Sequence, residues 1–119
     1  MSDPRITLAQ ADSIERWLRQ QVEPFTHRVF VAFQAWNRTW CNDPAPPSRD
    51  QIRNKLEFMI ASVVRNARAG CEGYGSGGGL TVRTYWVGPD LRAELSLEDD
   101  CFVVVPPGGL IDPPKELPG

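Results

Sequence analysis

Between Ser48 and Gly70 the sequence spells out one helix from start to stop. Ser48 and Gln51 have the spacing of a capping box, in which the serine oxygen accepts from a free helix N–H and the glutamine reaches back. Ile52, Leu56, Met59, Ile60, Val63 and Ala67 then recur at three- and four-residue steps and form one apolar stripe. Gly70 follows as the residue that most readily takes the left-handed turn closing a helix. A helix with one apolar face is not stable alone, so the rest of the chain has to supply a layer that covers it.

Upstream, two further helices are predicted. Thr7 and Gln10 repeat the capping-box pattern, and Leu8, Ala11, Ile14, Leu18 and Val22 fall on one side of a helix opposite Asp12, Arg16, Arg19 and Gln20. Pro24, which lacks an N–H and crowds the preceding turn, is expected to end it. From Phe25 to Trp40 the residue types favour a strand, but the periodicity does not. Phe25, Val29, Ala32, Phe33, Trp36 and Trp40 gather within an arc of about 100° on a helical projection, whereas alternation leaves neither face clean. A second helix is therefore expected over 25–40, and the prolines of Asn42 to Pro47 mark a loop.

Leu80 to Val87, Leu91 to Leu97 and Cys101 to Val105 read as three strands separated by Gly88-Pro89-Asp90 and Glu98-Asp99-Asp100. Leu80, Val82, Thr84 and Trp86 alternate onto one face, as do Leu91, Ala93, Leu95 and Leu97. The expected architecture is α+β: three N-terminal helices on one face of a three-stranded antiparallel meander. It forms a single domain over residues 1–105, with an extended Pro/Gly-rich tail over 106–119.

The 119 residues, 41% of them hydrophobic, suit one core. No apolar run approaches the roughly 18 residues of a membrane span and no leader pattern opens the chain, so a cytoplasmic protein without a membrane partner is expected. Cys41, Cys71 and Cys101 are odd in number and lack Cys-x-x-Cys spacing, which points to separate reduced thiols and no metal site. The net charge of -2 argues against a dedicated nucleic-acid coat, yet it is unevenly spread. Residues 1–70 hold ten basic and seven acidic side chains; residues 71–119 hold three and eight.

Gly73-Tyr74-Gly75-Ser76-Gly77-Gly78 has the letters of a pyrophosphate-binding loop, but it follows a helix and leads into a strand, the reverse of the order that loop requires. It is expected to be a flexible connector in which Tyr74 is a contact residue, and no cofactor is implied. Asn37-Arg38-Thr39 and the proline pattern Pro44 to Pro47 match short motifs by letters only. His27 lines up with Gln34 and Arg38 on the predicted second helix. A metal-independent nuclease using His27 with Arg28 or Arg38 is thus one alternative, although no second proton-transfer group is evident. Another is nucleic-acid binding through Arg49, Arg53, Arg65 and Arg68 of the capped helix.

Trp17, Phe30, Val31 and Phe58 are harder to place, because each projects more than about 60° from the stripe of its own helix. Either neighbouring layers bury them or a partner does. With no catalytic constellation in the chain, the leading expectation is a non-enzymatic protein-binding module. It would be an inhibitor, immunity, antitoxin or phage-accessory type of protein, or a self-associating subunit of an assembly. Trp17, Phe30, Val31, Phe58 and Tyr74 would be its contact residues.

Overall fold

The computed structural model describes residues 4–40, 43–98 and 102–106. Helix α1 spans Pro4–Trp36 and helix α2 Arg49–Arg68; strands β1 (Gly73–Gly77), β2 (Leu80–Val87), β3 (Asp90–Leu97) and β4 (Phe102–Val104) follow. The strands pair in sequence order as one antiparallel sheet, β1-β2-β3-β4. The class is α+β, as expected, but the described residues form two helices rather than three and four strands rather than three.

The first two predicted helices are one. Pro24 lies inside α1 on its solvent side, and the helix runs through it. Burial explains why. Ala11, Ile14, Leu18, Val22, Phe25, Val29 and Phe33 are all buried, and their spacing of 3, 4, 4, 3, 4 and 4 keeps one stripe in phase across the proline. Breaking the helix would cost that shared face more than the proline costs the helix. The expected cap at Thr7 is also displaced. α1 starts with Pro4, a residue suited to a first turn whose N–H has no partner, while Thr7 and Gln10 are buried within it. The Gln10 amide donates to the Pro89 carbonyl (2.9 Å) and accepts from the Leu91 N–H (2.8 Å), latching α1 to the β2–β3 turn. At the other end α1 stops at Trp36, before the expected Trp40, and Leu8 and Trp36 are exposed.

Helix α2 matches its sequence signals. Ser48 Oγ accepts from Gln51 N (3.2 Å), Gln51 Oε1 accepts from Ser48 N (2.8 Å), and the predicted stripe is buried. At its end Gly70 adopts φ +79°. There the Gly70 and Cys71 amides donate to the Ala67 and Asn66 carbonyls, the paired bonds of a Schellman motif.

The expected glycine connector is in fact strand β1, and its glycines explain how the layers meet. Gly73, Gly75 and Gly77 alternate onto the face under α2, where an added Cβ would stand 2.7 Å from Val63 Cα, 3.3 Å from Met59 Cβ and 2.8 Å from Lys55 Cε respectively. Two strand residues advance about 6.8 Å and four helix residues about 6 Å, so every second glycine meets every fourth helix residue. The absent side chains let the helix backbone settle onto the strand. Gly78 and Gly79, both at positive φ, make the two-residue turn into β2.

α2 packs on β1 and β2, α1 on β3, and the helices lie side by side. Leu80, Val82, Leu91, Ala93, Leu95 and Leu97 close the core from below. After α1, Trp40 reaches the hairpin, its indole N–H donating to the Gly78 carbonyl at 3.1 Å. Cys101, where the last strand was expected to begin, and the predicted tail from Pro107 onward lie outside the described residues. No helix among the described residues is long and apolar enough to cross a membrane.

Candidate protein-docking edge

β1 is an edge strand: among the described residues it pairs with β2 alone. Gly77↔Leu80 closes a two-residue turn and is therefore a hydrogen-bonded pair, and bonded pairs alternate from there through Gly75↔Val82 to Gly73↔Thr84. The N–H and C=O groups of Tyr74 and Ser76 consequently point away from β2, along the free edge. No charged residue or proline occurs within Gly73–Gly77 to blunt that edge.

The edge has an aromatic residue on each side. On the helix side, Phe58 is 76% exposed. Around α2, Arg53 faces α1 through its pair with Glu23 and Met59 stands over Gly75. Phe58 lies about 100° beyond Met59 in the direction away from α1, on the solvent-facing flank of α2 at the outer side of β1. Lys55, Phe58, Ser62 and Arg65 share this flank at spacings of 3, 4 and 3. On the opposite side of the sheet, Tyr74 is 68% exposed, beside its cross-strand partner Arg83. Arg83 stacks on Tyr85, its guanidinium carbon 4.5 Å from the ring centre.

The other expected contact residues are dispersed. Trp17 and Phe30 are partly buried against the core on different flanks of α1, and Phe30 carries the Arg49 guanidinium 4.4 Å above its ring. Val31, 49% exposed, points to solvent on the side of α1 away from both other layers. Phe58 and Tyr74 are thus the pair from that group that one surface element, the β1 edge, brings together.

Of the four arginines proposed for nucleic acid, Arg53 and Arg68 pair with carboxylates of α1 across the helix seam. Arg53 binds Glu23 and Asp50, each at 2.7 Å. The Glu23 bond, then the Asp50 bond, holds the Arg53 proton more firmly than usual, and the same bond lowers the Glu23 carboxyl below its ordinary range. Arg68 binds Glu15 and Asp12, and the Glu15 hydrogen bond is the main cause of its raised pKa. Arg49 is engaged with Phe30 and His27, whereas Arg65 has no ion-pair partner among the described residues.

His27 and Arg38 are not brought together. Arg49 Nη2 lies 3.2 Å from His27 Nδ1, so the ring faces the guanidinium of α2. Arg28 neighbours His27 on the exposed surface of α1, but Arg38 lies past the helix end, where it pairs with Glu98. Nine helical residues from His27 to Trp36 alone separate the two by about 13 Å. Among the described residues no group of His, Cys, Asp or Glu is arranged to hold a metal; Cys71 is a free exposed thiol, and Cys41 and Cys101 lie outside those residues.

The edge itself escaped the sequence reading, although glycine at every second position from 73 to 77 is a period-two signal for a strand whose one face carries no side chains. The chain matches no protein-family model, no curated protein and no solved structure.

Proposed function

We propose that this protein is a non-enzymatic protein-binding module that engages its partner along the outer margin of β1, with Phe58 and Tyr74 as anchors. The observation carrying this reading is the exposure of Phe58, 76%, beside an edge strand that has no charge or proline to guard it. Large exposed aromatics are among the residues that most often dominate association energies, and the open main-chain groups of the edge between Phe58 and Tyr74 add direction. The carboxylate pairing of Arg53 and Arg68 and the separation of His27 from Arg38 favour it over the nucleic-acid and nuclease alternatives.

Site-specific photocrosslinking tests it. A photoreactive phenylalanine analogue replacing Phe58 in the expressing cell should form a discrete adduct with another polypeptide, and the same analogue at Arg16, on the exposed side of α1, should not. Equal labelling from the two positions would remove the basis for the proposal.

A further inference from the structure

Resting on that docking reading, we infer that the partner enters as an extended peptide strand added to β1, with an apolar side chain turned toward Phe58 and an acidic one beside Lys55. The exposed groups set the form of the occupant. Tyr74 and Ser76 together present two N–H and two C=O groups along the margin, and only another extended backbone satisfies both kinds at strand spacing. β1 is also the better of the two edges. β4 has three residues and is followed two positions later by Pro106, which offers no N–H, while β1 has five residues and no proline.

The position of α2 sets the kind of partner. A Cβ on Gly73 would stand 2.7 Å from Val63 Cα, so the helix backbone comes down onto the edge strand while it also packs on β2. Two copies joined β1 to β1 would set the Lys55 and Arg65 flank of one against the same positive flank of the other, like charge facing like. A bare strand meets no such obstacle, because its helix-side residues come up against the flank carrying Phe58 and the short side chain of Ser62. Lys55 and Arg65 bracket that flank with positive charge; Glu72 is next to β1 in sequence, and Glu98, beside Gly79, is paired with Arg38. The Lys55 ammonium lies by Gly77 and 5.5 Å from the Trp40 ring centre, at the end of β1 remote from Glu72. An acidic partner residue belongs at that end.

The test is selection of displayed random linear octapeptides on the full-length protein, followed by affinity measurement of the best sequence. Selected peptides should alternate apolar with polar or acidic residues. Binding should fall about tenfold or more when the peptide amides facing β1 are N-methylated, and similarly for Ser76→Pro, which removes an outward N–H without touching the β1–β2 ladder. Phe58→Ser should weaken it by a comparable factor. Affinity lost in Phe58→Ser but untouched by N-methylation and by Ser76→Pro would overturn strand addition while leaving the docking reading intact. Failure to select any binder would overturn strand addition, while crosslinking from Phe58 decides the docking reading separately. A dimer in sedimentation that Ser76→Pro dissociates would overturn the peptide occupant in favour of a second copy.

Discussion

Val63 stands so close over Gly73 that a Cβ on the glycine would lie 2.7 Å from Val63 Cα and 2.8 Å from Val63 Cβ. The neighbour is helix backbone and cannot swing aside. Gly73→Ala is therefore expected to destabilise the protein by about 1–3 kcal/mol, the usual range for overpacking. Gly75→Ala, which meets the unbranched Met59 side chain at 3.3 Å, should cost distinctly less. Urea unfolding of both variants checks the order, and equal or reversed losses would contradict the close seating of α2 on β1.

Gln10→Ala removes both bonds of the latch between α1 and the β2–β3 turn, leaving the buried Leu91 N–H without its acceptor. A loss of about 1–3 kcal/mol is expected in thermal or urea unfolding. Gln10→Glu keeps an acceptor for Leu91 but gives up the donor to Pro89, and should perturb stability in the same direction.

Pro24 interrupts no burial, since its ring is on the solvent side of α1. Pro24→Ala restores a helical N–H in the middle of the helix. It should stabilise the protein by about 1–3 kcal/mol, the helix-interior gain being partly offset by the greater freedom of the unfolded chain. A marked loss of stability would show that the proline marks a boundary the structure lacks.

Glu23 has its pKa lowered from 4.5, chiefly by the Arg53 hydrogen bond. A carboxyl lowered on folding contributes stability that is present above its unfolded pKa and is lost as pH falls through its folded one. The difference in melting temperature between wild type and Glu23→Gln should therefore be largest near neutrality and vanish in strong acid. A difference independent of pH would show that Glu23 acts through packing rather than charge.

Much of this fold is written locally. Ser48, Gln51 and Gly70 bound α2 by bonds within a few residues of themselves, and the alternation of β2 and β3 reports a sheet with one buried face. Other features depend on distant contacts. Pro24 reads as a stop until the stripes on either side are seen to share one phase, and tertiary burial then outweighs the local penalty. Gln10 has the spacing of a cap residue, yet its partners are about eighty positions away. The glycines of β1 have low intrinsic strand propensity, and their fit exists only once α2 is placed above them. For the site, projection angle singles out Phe58 together with Trp17, Phe30 and Val31, and Tyr74 enters only as a contact residue of an expected connector. The joint relation of Phe58 and Tyr74 to an open edge appears only when β1 is recognised as a strand.

Backbone amide hydrogen exchange at Tyr74 and Ser76, followed by NMR with and without a selected peptide, probes that edge most directly. Both amides should exchange rapidly in the free protein, while those of Gly75 and Gly77 are protected by β2, and both should slow by about tenfold or more when peptide binds. Strong protection of Tyr74 and Ser76 in the isolated monomer, or no change on binding, would contradict a docking edge at β1.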